Sequence, residues 1–167
     1  MEQEIKRTQR DKTPQQALQS LMRMCARAER SSGDALRLMK RWGVADEEAR
    51  KVLARLQSER FIDDGRYAEA FVRDKLNLSG WGAYKIKMAL RAKGVSKEII
   101  EEVVAPMIEA TDMAERLEEM MRRRMRTLKY SSTYEAKTKL IRFAASRGYD
   151  MEEAIECASK IVAEIEN

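Results

Sequence analysis

Residues 84–98 read YKIKMALRAKGVSKE: an amphipathic stretch from Tyr84 to Lys93, the pair Gly94-Val95, and a second stretch opening at Glu98. A glycine between two helical patterns is the residue expected just past a helix C-terminus, because it takes the left-handed conformation at little steric cost. The same punctuation occurs at Gly43-Val44 with Glu47 and at Gly148-Tyr149 with Glu152. The glycines are 51 and 54 residues apart, and a glutamate follows each by four. Three helix–Gly–helix units in near register at a period of about 50 residues are the mark of internal repetition.

Working outward, the stretches before the other glycines run Ala35 to Trp42 and Glu135 to Arg147. Those after the three glycines run Glu47 to Leu56, Glu98 to Ile108 and Glu152 to Ile165. Each unit also has a leading helix. In the first, Gln15 to Ala28, the residues Leu18, Leu21, Met22 and Cys25 recur at helical spacing. Thr13 can cap it, Pro14 suits its first position, and Gln16 can close a capping box. The second runs from about Asp64 to Leu76 and buries Tyr67, Ala68, Phe71 and Val72. The third runs from about Met113 to Leu128 and buries Met113, Leu117, Met120 and Met121. Ser132 with Glu135 and Asp150 with Glu153 are further capping pairs. Strand-like runs of aromatic and β-branched residues are missing. The expected fold is therefore all-α: three tandem three-helix repeats forming an elongated or curved array. Residues 1–12 form a loose N-terminal arm, and the repeats cover 13–60, 61–109 and 110–167. One such unit buries little apolar surface alone, so neighbours must stack.

Composition sets the function classes. The 167 residues include no histidine, which removes the commonest general base, the usual catalytic triads and most zinc and copper sites. No phosphate-binding glycine loop or dinucleotide fingerprint is present. Asp63-Asp64 reads as a helix start, where carboxylates accept orphan N–H groups and meet the positive dipole end. Gly80-Trp81-Gly82 reads as a loop between two helices, with Trp81 packed between repeats. No enzymatic activity, cofactor or metal is expected. Cys25 and Cys157 read as reduced, buried thiols of a cytoplasmic protein. No apolar run approaches a membrane span. Without an obvious self-complementary apolar patch, the chain is expected to be monomeric.

Charge is sorted by helix. The chain carries 33 Lys and Arg against 28 Asp and Glu, with a pI near 9.2. Residues 35–43 hold Arg37, Lys40 and Arg41 and no acid; residues 84–94 hold Lys85, Lys87, Arg91 and Lys93 and no acid. Residues 135–148 hold Lys137, Lys139, Arg142 and Arg147 against Glu135 alone, whereas residues 150–166 carry six acids and only Lys160. Arg122-Arg123-Arg124, Arg126 and Lys129 form a further cluster, and Arg73 stands on the second leading helix. The sorting has two readings. Stacked repeats could align these helices into a basic partner-binding stripe, or the basic helices could complement their acidic neighbours. The candidate partner or nucleic-acid contacts are Arg37, Lys40, Arg41, Arg73, Lys85, Lys87, Arg91, Lys93, Arg122, Arg123, Arg126, Lys139 and Arg142.

Phe61-Ile62-Asp63-Asp64, then Arg66-Tyr67-Ala68, then Phe71-Val72-Arg73 resembles the signature of the RecX family of bacterial regulatory proteins. It continues through Gly80, Lys85-Ile86, Leu90 and Lys93-Gly94-Val95. The resemblance spans about residues 15 to 165 and is most specific around 61–95. Lys85 stands where an arginine is common, and the Asn77-Leu78-Ser79 approach to Gly80 is atypical. The resemblance implies a regulator that binds the RecA recombinase filament on single-stranded DNA and mostly inhibits its ATPase, strand-exchange and coprotease activities. The single-stranded DNA within the filament is then a further contact. Within the signature, Phe61, Asp63, Asp64, Arg66, Tyr67, Phe71 and Gly94 read as structural: Tyr67 and Phe71 pack a helix that Asp63 or Asp64 caps, with Arg66 as a carboxylate partner. The alternative is a stand-alone helical-repeat nucleic-acid-binding protein.

Overall fold

A computed structural model of the chain describes residues 11–167, and all regular structure among them is helical. The helices are α1 (Pro14–Arg27), α2 (Ser32–Arg41), α3 (Asp46–Ser58), α4 (Asp64–Asp74, continued by a π-helical turn Lys75–Ser79) and α5 (Ala83–Ala92). They continue with α6, α7 (Met113–Thr127), α8 (Thr133–Ser146) and α9 (Met151–Glu166). Helix α6 is a composite: Lys97–Ile99, a π-helical turn Ile100–Val104, and Ala105–Glu109. In sequence order these are three groups of three. The first ten residues of the expected arm lie outside the described residues. At its end, the Lys12 N–H donates to the Trp42 carbonyl at 2.9 Å and its ammonium lies 5.1 Å from the Trp42 ring centroid.

Local chemistry accounts for the helix ends. Thr13 and Gln16 form the reciprocal capping box expected of α1, with Pro14 in the first turn. Ser132 accepts from the Glu135 N–H, but Glu135 reaches back to the Ser131 N–H rather than to that of Ser132. The three marker glycines all have positive φ, at 75° for Gly43, 82° for Gly94 and 88° for Gly148. Around each, the following N–H reaches back five positions: Val44 to Met39, Val95 to Leu90 and Tyr149 to Ala144. This double-bonded C-terminal turn satisfies carbonyls that the helix leaves unpaired.

The π-helical turns are the departures from the expected helices. In α6 the cause is Pro106, which has no N–H to return to Glu102 and whose ring crowds that carbonyl. In α4 the cause is competition from side chains. The Arg116 guanidinium donates to the Leu76 carbonyl at 3.0 Å and that of Arg147 to the Ser79 carbonyl at 2.9 Å. Donors entering the carbonyl ladder favour the wider turn, which closes at Gly80 with φ 64°.

The chain packs as two compact units. One runs through Ala70 and includes Leu90–Ile100; the other comprises Phe71–Ala89 and Glu101–Asn167. The first unit has a core of Leu18, Leu21, Ala35, Met39, Leu56 and Ile62. The second has Leu117, Met121, Leu140 and Ile161, with the alanines Ala136, Ala144, Ala154 and Ala158 letting α8 and α9 approach closely. Cys25 and Cys157 are free, half-buried thiols, each raised above its ordinary pKa of 9.0 by burial.

One junction recurs inside each unit. In the first, the start of α2 meets the turn that ends α5: a Cβ on Gly33 would fall 2.9 Å from Gly94 Cα. The Ser31 hydroxyl donates to the Lys93 carbonyl at 2.8 Å and the Arg37 guanidinium to the Ala92 carbonyl at 3.1 Å. In the second, the start of α5 meets the turn that ends α8: a Cβ on Gly82 would fall 2.6 Å from the Gly148 carbonyl carbon. There the Gly82 N–H donates to the Arg147 carbonyl at 2.6 Å and the Lys85 ammonium to the Ser146 carbonyl at 3.0 Å. A second helix of one repeat thus supplies a small residue and a cation to the negative end of the next repeat's second helix. The same junction joins two second helices within each unit.

Candidate functional site

The signature residues make contacts within the fold. Asp63 accepts from the Arg66 N–H at 3.0 Å and caps α4. Asp64 instead serves α2, accepting both the backbone N–H of Ser32, at 2.7 Å, and its hydroxyl. The carboxylate partner of Arg66 is Glu29, at 2.5 Å, rather than Asp63 or Asp64, and this bond raises the guanidinium further above its ordinary pKa. The same guanidinium donates to the Arg60 carbonyl at 3.0 Å, pinning the turn before α4. Ile62 is buried, Phe61 and Tyr67 are half-buried, and desolvation raises the Tyr67 hydroxyl above its usual pKa. Phe71 meets Trp81 edge-on at 6.1 Å, and the ammonium groups of Lys75 and Lys85 each lie 4.5 Å from the Trp81 ring.

The candidate basic residues separate into two sets. Arg37 and Lys85 are tied to helix-end carbonyls as described, and Arg37 also pairs with Asp34 at 2.5 Å. Lys93 faces the same Asp34 at 3.7 Å. Lys139 binds Glu135 at 2.7 Å and the Lys129 carbonyl at 2.8 Å. Arg122 bridges α7 to α9, with both terminal nitrogens on the Glu164 carboxylate at 2.7 and 2.9 Å and its Nε on Glu118 at 2.9 Å. Lys160 completes that network on Glu118 at 3.0 Å, so that Glu118 and Glu164 are held below the ordinary carboxylate pKa. These five residues complement acids and carbonyls of their own chain.

Lys40, Arg41, Arg73, Arg91, Arg123, Arg126 and Arg142 are exposed and Lys87 is half-exposed. None of these eight makes an ion pair with a described residue. On α5, Lys87 and Arg91 stand four apart beside the exposed apolar side chains Tyr84 and Met88, which are 68% and 50% accessible. That surface offers charge and contact area together.

The second unit also contains a groove of about 590 Å³ that the basic-stripe reading does not foresee. It is lined by the π-helical turn of α4, by α7 and by the end of α8. Arg116, Arg123, Arg124 and Arg147 line it against one carboxylate, Glu119. Arg124 and Arg147 each approach the Phe143 ring, at 5.3 and 5.2 Å from its centroid. Leu78, on the turn, is 83% accessible. Sequence reading shows Arg124 and Arg147 as charges on separate helices and gives no sign of Arg116. Only the folded chain brings them together.

No helix among the described residues is long and apolar enough to cross a membrane, and they hold no cluster of three metal-ligating side chains.

Two family models match the chain: the second three-helix domain of RecX over residues 63–104 and the third over residues 111–157. The regulatory protein RecX of Chromohalobacter salexigens is 33% identical over 132 residues, covering 79% of this chain and 84% of that protein. That of Pseudomonas entomophila is 29% identical over 140 residues, covering 84% and 88%. That of Clostridium botulinum strain Alaska E43 is 36% identical over 109 residues, covering 64% and 50%, so the chain spans about half the length of this clostridial relative. Two crystal structures share the fold. RecX from Lactobacillus salivarius aligns with a TM-score of 0.72 at 17% identity, covering 88% of this chain and 95% of that one. A second regulatory protein RecX aligns at 0.68 and 20% identity, covering 86% and 71%. The repeat junctions, the signature segment and these matches agree: the chain belongs to the RecX family of regulatory proteins.

Proposed function

We propose that this chain binds the filament that the RecA recombinase forms on single-stranded DNA and restrains it, lowering ATP hydrolysis, strand exchange and coprotease activity. The observation that carries the reading is membership in a family of regulatory proteins, joined to exposed cations that the fold itself does not use. A nucleoprotein filament presents phosphates and acidic surface along its length, and a repeat array can meet several successive protomers. The chain acts as a monomer in this reading, with no cofactor and no chemistry of its own. Lys40, Arg41, Lys87 and Arg91 are the preferred contacts, because Arg37, Lys85 and Lys93 are engaged within the chain.

The test is ATP hydrolysis by RecA on single-stranded DNA at rising concentrations of this protein. Hydrolysis should fall at or below equimolar protein, and the Lys87→Ala/Arg91→Ala variant should need a higher concentration. Unchanged hydrolysis and filament length at saturating protein would refute the proposal.

The pI near 9.2 and the same cations favour a second reading, direct nucleic-acid binding without a protein partner. Its signature is binding to naked single strands whose log affinity falls against log salt with a slope near −0.7 per phosphate neutralised. Tight binding of that kind with no effect on RecA would favour it.

A further inference from the structure

We infer that the groove over the π-helical turn of α4 is a docking site for an acidic peptide segment with an aliphatic anchor. The inference rests on this groove being a working surface and does not depend on which protein supplies the segment. Charge comes first: four arginines face one carboxylate across about 590 Å³, so the groove selects an anion. Arg116 and Arg147 are fixed through the Leu76 and Ser79 carbonyls, which places their remaining donors without further ordering. Arg123 lines the groove, has no carboxylate partner among the described residues and is exposed.

The apolar lining decides between a peptide and a nucleic acid. Single strands are held by a basic track together with aromatic faces on which bases stack. Phe143 offers no such platform, because the guanidinium groups of Arg124 and Arg147 already approach its ring. Tyr149, the other ring in the lining, is 7% accessible. What stays open is aliphatic and adaptable: Leu78 at 83% accessibility and the thioether of Met120, which lies beside Gly80. An exposed leucine that shares its groove with four arginines matches a partner side chain that is apolar next to one that is acidic.

The experiment is selection of a phage-displayed random dodecapeptide library on the full-length protein, followed by fluorescence anisotropy of the synthetic consensus peptide. Enriched sequences should carry several carboxylates around one or two aliphatic residues. Their affinity should fall about tenfold on Leu78→Ser, as loss of one buried leucine contact entails, and about tenfold again on Arg123→Glu. Both positions are solvent-facing, and equal thermal unfolding midpoints establish that the variants are folded. Leu78→Ala and Arg123→Gln serve as a milder pair with the same expected order. Absence of enrichment, enrichment of uncharged or basic peptides, or binding indifferent to both substitutions overturns the inference. So does a thymidine oligonucleotide that binds more tightly than the peptide and loses affinity on Arg123→Glu but not on Leu78→Ser. None of these measurements contains RecA, so their failure and the failure of the proposed function are read separately.

Discussion

Gly33 and Gly94 touch backbone to backbone: a Cβ on Gly33 would lie 2.9 Å from Gly94 Cα, and a Cβ on Gly94 would lie 2.8 Å from Gly33 Cα. The obstacles are main-chain atoms, which cannot swing aside as a side-chain tip can. Gly33→Ala is therefore expected to destabilise the first unit by about 1–3 kcal/mol, the range for forced overpacking. Gly94→Ala should cost more, because its φ of 82° adds conformational strain to the clash. Urea unfolding followed by circular dichroism measures both, and equal stabilities for Gly94→Ala and wild type would contradict the junction.

Arg60 occupies the same left-handed position after α3 that glycine occupies after α2, α5 and α8. Its φ is 61°, with the Phe61 N–H returning to the Leu56 carbonyl at 2.8 Å. The bond to Arg66 uses the Arg60 carbonyl, which a substitution retains. Arg60→Gly is expected to stabilise the chain by about 0.5–1 kcal/mol, the strain relieved less the added entropy of the unfolded state. A lower unfolding midpoint for the variant would show that the arginine side chain contributes more than its backbone strain costs.

Glu135 carries the clearest pH signal. Lys139 first, and then the hydroxyl and N–H of Ser131, hold its carboxyl down at about 2, against an ordinary value of 4.5. A folded-state value below the unfolded one makes the contribution complete above about pH 4.5 and loses it as pH falls toward 2. Comparing unfolding of wild type and Glu135→Gln from pH 7 to pH 2 checks this. The wild type should be the more stable at neutral pH, and the two should converge at the acid end. Parallel curves would exclude the bond.

Asp64 and Asp63 are adjacent but serve different helices, so their substitutions should separate. Asp63→Ala removes the cap of α4 and Asp64→Ala the two bonds to Ser32, each expected to cost about 1–2 kcal/mol. Adding Ser32→Ala should be nearly additive with Asp63→Ala and clearly less than additive with Asp64→Ala. Equal coupling in both double-mutant cycles would break the assignment.

Arg37 and Lys85 differ from Lys87 and Arg91 in what they hold. Truncating Arg37 or Lys85 to alanine should lower stability by about 0.5–1.5 kcal/mol through loss of a charged helix-end hydrogen bond. Truncating Lys87 or Arg91 should leave stability within about 0.5 kcal/mol, as at exposed positions free of native partners. Unfolding midpoints for the four single variants decide this before any binding is measured.

The helices, their caps and the threefold repeat were legible in the sequence because each rests on neighbours within a few positions. A Thr13–Gln16 box or a glycine after an amphipathic run carries its conformational preference locally. The π-helical turn at Lys75–Ser79 was not legible, since its cause is two arginines, of which Arg147 stands 68 positions from Ser79. The basic stripe shows the same division. Composition placed the cations on the second helices, but whether a given one is engaged depends on carbonyls as distant as Ser146 from Lys85, 61 positions away. Local patterning thus determined which segments are helical and how often they recur. Only the tertiary structure decided which charges the fold consumes, which it leaves exposed, and where four arginines converge, because those outcomes depend on contacts that no short-range preference encodes.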